Sequence, residues 1–363
     1  MAFDLSVLIT YHLLQSTSSR CFPKYAIINI VENIRQGGEQ MKAIIVKQPG
    51  GPEQLKVTEH PKPEPKSDEL LIKVQAAAIN RTDILNREGR SGYLDNPILG
   101  VEVSGIVEKP AAGIEAGTRV MGLVNGGAYA EYAVMPADRA IVIPENLTFE
   151  EAAAIPEVYL TAYQTLFWLG KLRENETVLI HAGGSGVGTA AIQLAKQLKN
   201  AKVITTAGSK EKLDFARSLG ADVCINYKEQ NFDEEVLKAT EGQGVNLILD
   251  FIGASYWGGN LNSIKVDGRW VLIGLLGGAE IEKLNLMDVM KKRIQLTGTL
   301  LTPRSDQYKA NLTNDFASSA LDLFKTGQLK PIIDCVFPFD QIQQAHKHME
   351  NNKNIGKIIL KTN

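Results

Sequence analysis

Cysteine is scarce, net charge is close to zero and no apolar run is long, and each shortage removes a class of protein. The three cysteines, Cys21, Cys224 and Cys335, lie far apart and form no C-x-x-C pair. They imply neither a disulfide framework nor a structural zinc knuckle, and a reducing, cytoplasmic setting suits such usage. A net charge of −2 gives no general attraction to nucleic acid or to an acidic membrane surface. No stretch approaches the roughly 20 apolar residues that span a bilayer. What is left has ordinary globular composition, 44% hydrophobic and 22% charged, with no sign of disorder.

At 363 residues the chain exceeds the size at which one core usually keeps growing, so two domains are expected. Residues 1–40 differ in character from the rest: "MAFDLSVLITYHLLQ" is moderately apolar and "STSSRCFPK" polar and basic. Asp4 and the sparse arginines make a poor presequence. Met41 opens "MKAIIVKQPGGPEQLKV", a strand and turn, so residues 1–40 are read as an extension outside the fold.

Two textures follow. From Met41 to about Leu160, short apolar strands such as "KAIIVKQ" and "LLIKVQAAAIN" are punctuated by Gly and Pro, the pattern of a barrel-like β module. After Leu160, strands alternate with helices: "TVLIHA", "AKVITTAG", "ADVCIN", "GVNLILDFIG", "GRWVLIG" and "IQLTGT" are six strand candidates, with helices such as "TAAIQLAKQL" between them. Alternation of this kind means right-handed crossovers and a doubly wound parallel sheet, an α/β architecture. The tail from Thr302 returns to β texture in "IIDCVFPF" and "GKIILKT".

Between the first of these strands and its helix lies "HAGGSGVGTA" (181–190). It departs from G-x-G-x-x-G, with Gly183 and Gly188 as the outer glycines and Ser185 in the middle position. Its setting is nevertheless that of a dinucleotide loop: a buried strand enters, a helix leaves, and a pyrophosphate would meet free N–H groups at the helix's positive end. Gly183 is expected to make the tight turn and Gly188 to let helix and strand pack. The next strand ends in "TTAGSKEK", with Gly208, Ser209, Lys210 and Lys212. An NAD site places an acidic residue there to hold the ribose 2′-hydroxyl; here a hydroxyl and two ammoniums stand ready for a 2′-phosphate, which favours NADPH. The alternative is that both lysines only solvate a helix start.

The order β-rich module, Rossmann domain, return to the first module resembles the medium-chain dehydrogenase/reductase superfamily. Zinc members carry a Cys in C-x-T-D and a Gly-His-Glu triplet; this chain has "NRTD", with Asn80 in the Cys position, and "GVE", with Val101 in the His position. A catalytic zinc needs three protein ligands and an open site, so no metal is expected. "AAAINRTDILNREG", "GAYAEYAVMP", "EEAAAIPEVYLTAYQTLFWLG" and "ETVLIHAGGSGVGTAAIQLAK" are similar to the zinc-free quinone oxidoreductases of the zeta-crystallin type, with the tumour-suppressor-inducible branch nearest. That resemblance implies a GroES-like catalytic domain over 41–160 and 303–363 and a Rossmann NADPH-binding domain over 161–302. It places Asn80 beside the nicotinamide with Thr161 on its side of the cleft, and Ser185, Gly186 and Val187 at the pyrophosphate. Gly208, Ser209, Lys212 and Tyr227 would surround the 2′-phosphate, while Phe251, Ile252, Gly274 and Leu275 would line the nicotinamide ribose. Lys357 would return near the cofactor, and Tyr93 would face the substrate. Bland alternatives stand beside three of these: Thr161 as a helix N-cap, Tyr227 as a sheet-end tyrosine and Lys357 as a solvated strand lysine.

A quinone accepts electrons readily, so its reduction by NADPH needs proximity and orientation more than a metal or a strong acid. No Ser-His-Asp set is present; His346 and His348 stand two apart on a helix and point different ways, and His181 is read as structural. Reduction of α,β-unsaturated ketones or aldehydes is the runner-up, though no proton donor for the α-carbon is evident. A non-enzymatic, crystallin-like NADPH-binding protein is the third reading. By likeness the chain is expected to form a homodimer or homotetramer through a Rossmann sheet edge that "IQLTGTLLT" could supply.

Overall fold

The computed structural model describes residues 38–90 and 96–362. Tyr93 and the first 37 residues of the expected extension lie outside the described residues. The fold itself starts slightly ahead of Met41, because Gln40 already pairs with Pro61 and Glu39 forms an ion pair with Lys62 at 2.8 Å.

In the first half, β1 (Gln40–Val46) and β2 (Leu55–Pro61) form an antiparallel hairpin. They are followed by β3 (Glu69–Ile79), β4 (Glu102–Lys109), β5 (Arg119–Leu123), β6 (Tyr132–Pro136) and β7 (Ile141–Val142). The eleven-residue β3 is the axis of this unit, pairing with both β4 and β6. Its inward residues Leu70, Ile72 and Val74 join Met41, Ile44, Val103 and Val120 in a core of their own.

The second half supplies β8 (Thr177–Ile180), β9 (Lys202–Ala207), β10 (Val223–Asn226), β11 (Val245–Asp250), β12 (Ile264–Leu272) and β13 (Gln295–Gly298). All pair in parallel, in the order β10-β9-β8-β11-β12-β13. The order reverses between β8 and β11, and the crevice beyond the carboxyl ends of those two strands is where open α/β sheets take ligands. The six strands expected from the alternation are all there. Helix Gly186–Lys199 buries Ala190, Ala191, Leu194 and Ala195 against the sheet; the small alanines permit close approach, and Asn200 ends the helix in the left-handed region at φ 44°.

The tail adds β14 (Ile333–Pro338) and β15 (Lys357–Lys361) to the first sheet, in the order β14-β15-β3-β4-β5-β7. Helix Asp306–Lys325 packs Phe316 and Phe324 against Tyr159, and its Leu312 and Ala320 belong to the same core as Val178 and Ile180 of β8. That core also holds Met121, Leu123 and Ile141 of the β-rich unit, and Lys309 of the same helix donates to Asn125 at 3.1 Å, so the helix packs against both units before β14 and β15 rejoin the first sheet.

Asp250, at the end of β11, is fully buried. Its carboxylate accepts from Ile252 N (2.7 Å), Gly253 N (3.0 Å), Asn260 Nδ2 (3.0 Å) and Trp270 Nε1 (3.0 Å). Asn260 Oδ1 in turn lies 2.6 Å from His181 Nε2, and His181 Nδ1 is 2.9 Å from Thr206 Oγ1. Burial holds the His181 imidazole below its usual range, the state of a neutral structural histidine. Asp250→Ala would strand four buried donors, each costing about 1–3 kcal/mol when unsatisfied. The expected result is a lower urea midpoint corresponding to at least about 3 kcal/mol, followed through Trp270 fluorescence.

Candidate active site

The glycine loop sits at the switch point. The residue that turns the chain there is Ala182, at φ 53°, and not Gly183 as expected. Gly183 is required for a different reason: a Cβ on it would lie 2.1 Å from Thr205 Oγ1. At Gly188 a Cβ would lie 2.3 Å from the Ala182 carbonyl oxygen, which accounts for its packing role. Ser185, the residue that breaks the fingerprint, is the N-cap of helix Gly186–Lys199; its Oγ accepts from Gly188 N at 3.0 Å. Among the described residues nothing accepts from the N–H groups of Gly186 and Val187. A helix start with bare glycine and two free N–H groups fits a pyrophosphate.

The tail closes over this loop. Gly356 N donates to Gly184 O at 3.0 Å, and the turn before β15 is held by Asp334, which accepts from Ile355 N (2.8 Å) and His348 Nε2 (2.7 Å). Cys335 completes a trio with Asp334 and His348, and burial together with the Asp334 charge pushes its thiol up to about 12. His346 points away from His348 and is buried beside Arg87 (3.2 Å).

At the expected 2′-phosphate end, Ser209 is the N-cap of helix Lys210–Ser218. Tyr227 is exposed and covers Gly208, where a Cβ would lie 2.5 Å from its hydroxyl. The Lys212 stem lies across Gly184, and its ammonium donates to Asn352 O at 2.7 Å. The sequence reading missed Arg81, whose Nη2 donates to Met349 O at 3.0 Å and to the Asn352 side chain. Two cations from different helices, Arg81–Arg87 and Lys210–Ser218, thus converge on Asn352. Lys210, by contrast, is exposed and paired to Asp214 at 2.5 Å. On the other lip, Gly277 N donates to Ile252 O (2.7 Å) and Leu276 N to Phe251 O (3.2 Å). These bonds hold the segment carrying Gly274 and Leu275 against the end of β11.

Between the two sheets lies a buried polar cluster. Lys357 (3% exposed) uses all three ammonium protons: on Asn80 Oδ1 (2.6 Å), Glu102 Oε1 (2.8 Å) and Ile79 O (3.1 Å). Lys357 is therefore not a solvated strand lysine; its stem lies against Gly186 while its charge is spent on Glu102. Asn80 Nδ2 donates to Glu102 Oε1 at 2.8 Å, and Asn80 N donates to Asp83 Oδ2 at 2.8 Å. Asp83 also accepts from Tyr129 Oη (2.8 Å) and Gly100 N (3.2 Å), and burial pushes its carboxyl up to about 6. With an amide at Asn80, an alkyl group at Val101 and an ammonium between Asn80 and Glu102, these donors do not fit a catalytic zinc, which takes thiolate, imidazole or carboxylate ligands around the ion.

Thr161 is buried in the interior of helix Pro156–Tyr163, which excludes the N-cap reading. The same helix carries a residue not singled out from the sequence. Glu157 N donates to Glu102 Oε2 at 2.8 Å, and Glu157 lines a narrow cavity between the two halves with Val101, Leu123, Asn125, Leu301 and Lys309. A larger cavity of about 240 Å³ shares Asn125 but includes none of the expected cofactor residues. Breaking a buried ion pair leaves an uncompensated charge at a cost of about 3–5 kcal/mol. Lys357→Met is expected to destabilise the protein by that amount in urea denaturation, because Glu102 is fully buried.

The alcohol dehydrogenase GroES-like domain family matches residues 66–145, and the zinc-binding dehydrogenase family matches residues 186–315. The chain is 32% identical over 336 residues to a quinone oxidoreductase of Rattus norvegicus, covering 89% of this chain and 98% of that protein. It is 30% identical over 347 residues to the synaptic vesicle membrane protein VAT-1 homolog-like of Mus musculus, covering 89% and 81%. Among solved structures, an NAD-dependent alcohol dehydrogenase superposes with a TM-score of 0.80 at 32% identity, covering 89% and 100%. A mycobacterial protein complexed with NADPH gives 0.80 at 30% identity, covering 88% and 99%. No helix among the described residues is long and apolar enough to cross a membrane. The β-rich unit, the six-stranded parallel sheet and these relatives agree: the chain belongs to the medium-chain dehydrogenase/reductase family, which includes the quinone oxidoreductases.

Proposed function

We propose that the protein is a zinc-independent, NADPH-dependent quinone reductase of the zeta-crystallin type. The observation that carries this reading is the Lys357–Glu102–Asn80 cluster. Where a zinc dehydrogenase would polarise its substrate, this chain holds a satisfied ion pair, so the substrate must accept electrons without a Lewis acid. Quinones meet that condition.

NADPH, when bound, supplies a hydride. The residues that would hold it are Ser185, Gly186 and Val187 at the pyrophosphate, and Gly208, Ser209, Lys212 and Tyr227 at the 2′-phosphate. Phe251, Ile252, Gly274 and Leu275 would line the ribose, and Asn80 and Thr161 would border the nicotinamide. Lys212 and Arg81 supply positive charge where an NAD site would carry a carboxylate. The Ser209 hydroxyl accepts from Lys212 N and keeps its own proton free to donate. Asn80, pinned from both sides, keeps one orientation at the cleft.

Enone reduction remains a second reading, favoured by one observation: an acid does line the cleft, at Glu157. An NADPH-oxidation assay with an ortho-quinone, a para-quinone and an enone separates the two readings, and turnover of the enone alone would overturn the first. Tight NADPH binding without turnover would favour a binding protein.

The chain also carries the features of a self-associating edge. β13 ends the parallel sheet, and around it Leu276, Leu286, Met287, Met290, Leu296 and Leu300 are 44–66% exposed, an apolar surface that soluble monomers seldom leave open. A homodimer formed edge to edge would cover it.

Lys212→Ala is expected to weaken NADPH binding by about ten-fold or more, the worth of a charge-assisted hydrogen bond, while NADH affinity changes little. Equal losses in titration calorimetry would refute the phosphate assignment. Leu296→Asp is expected to turn a dimer into a monomer in light scattering; a monomeric wild-type protein would sink the edge model.

A further inference from the structure

We infer that Glu157 is the proton donor of the reaction, holding its proton at the cleft and delivering it to the oxygen anion that hydride addition leaves on the substrate. The inference rests on the quinone-reductase reading and adds to it a residue that the resemblance did not supply.

Three geometric facts place Glu157 for this task. It follows Pro156 in the first turn of helix Pro156–Tyr163, and its backbone N is fixed to Glu102 Oε2 at 2.8 Å. Its neighbour Val158 lies against the glycine loop, where a Cβ on Gly186 would come within 2.9 Å of Val158 Cγ1. Glu157 itself lines the cavity between the halves, with Val101 and Leu123 from the β-rich unit and Leu301 and Lys309 from beyond β13. Its helix thus touches the loop expected to hold the dinucleotide through Val158 and the cavity beside Val101 through Glu157.

The charges around it decide its protonation. Glu102 and Asp83 oppose ionisation, Lys357 and Lys309 favour it, and burial opposes it most strongly. The Lys357 charge is already committed to Glu102 at 2.8 Å, and Lys309 is engaged with Asn125 at 3.1 Å. A carboxylate in a first helical turn is ordinarily favoured by the helix dipole, but desolvation and the facing Glu102 outweigh that, and the carboxyl is pushed up to about 8. Glu157 is then a neutral acid at neutral pH, matched to proton donation there.

The step balances. A reduced nicotinamide, when bound, would supply a hydride, two electrons and one hydrogen, and a quinone that accepted it would become a hydroquinone monoanion. The Glu157 O–H bond breaks as an O–H bond forms on that oxygen. The carboxylate takes a proton back from water when the product leaves.

The titration has a signature independent of turnover. An acid whose pKa is raised in the folded state stabilises the fold below its unfolded value, and that stability is lost as pH rises through the folded value. For Glu157 the loss runs from about 4.5 to about 8, and for Asp83 from 3.8 to about 6. Glu157→Gln is therefore expected to flatten the fall in urea midpoint between pH 6 and 8 and to leave below pH 6 only the part that Asp83 contributes. In turnover with a para-quinone, Glu157→Gln should lower kcat about 100-fold, change KM little and abolish the alkaline limb near pH 8. Formate should restore part of the activity to Glu157→Ala. Retention of both kcat and the alkaline limb in folded Glu157→Gln overturns the inference, as does an unchanged pH dependence of stability. If Glu157→Gln does not fold, lack of formate rescue in Glu157→Ala overturns it. A wild-type enzyme that turns over no quinone would instead refute the function proposed above.

Discussion

The buried ion pair between Lys357 and Glu102 is the contact on which the arrangement of this molecule turns. One partner comes from the last strand and the other from the start of β4, and Asn80, at the end of β3, is hydrogen-bonded to both. Neither charge has access to water, so the pair is tolerable only because every ammonium proton and both carboxylate oxygens find partners. That requirement brings together the tail, the middle of the β-rich sheet and the helix that starts at Pro156, whose second residue donates to the remaining Glu102 oxygen. The cleft has its shape because these three segments must meet.

The neighbouring chemistry depends on the same pair. With Lys357 spent on Glu102, the fully buried Asp83 and the partly buried Glu157 face like charge, and both are driven toward their neutral forms. On the other side, the Lys357 stem packs on Gly186 and the preceding residue, Gly356, bonds to Gly184. A single lysine therefore couples the glycine loop to Glu102 and Asn80 of the β-rich unit, and its substitution would be felt at both.

Much of the architecture was legible without coordinates, because periodicity and Gly/Pro punctuation are local signals. The six parallel strands and the glycine loop at a strand-to-helix turn could each be read from short segments. Roles within those segments were less legible. Gly183 looked like the turning residue, but Ala182 carries the left-handed φ and Gly183 is there for lack of a Cβ beside Thr205. Ser185 looked like a defect in a fingerprint and is a helix cap. Nothing local showed that the aromatic stripe of helix Asp306–Lys325 packs on Tyr159, far earlier in the chain.

Arg81, Glu102 and Glu157 were within quoted segments and carried no signal of their own, since an isolated charge in a sequence reads as surface. Composition and local pattern determined what kind of chain this is: two unlike units, a glycine-rich loop between strand and helix, and a basic strand tip. The tertiary structure alone decided which charges meet away from water. That cannot be read along the chain, because a side chain's proton affinity depends on its solvent and on neighbours as distant as the 255 residues between Glu102 and Lys357.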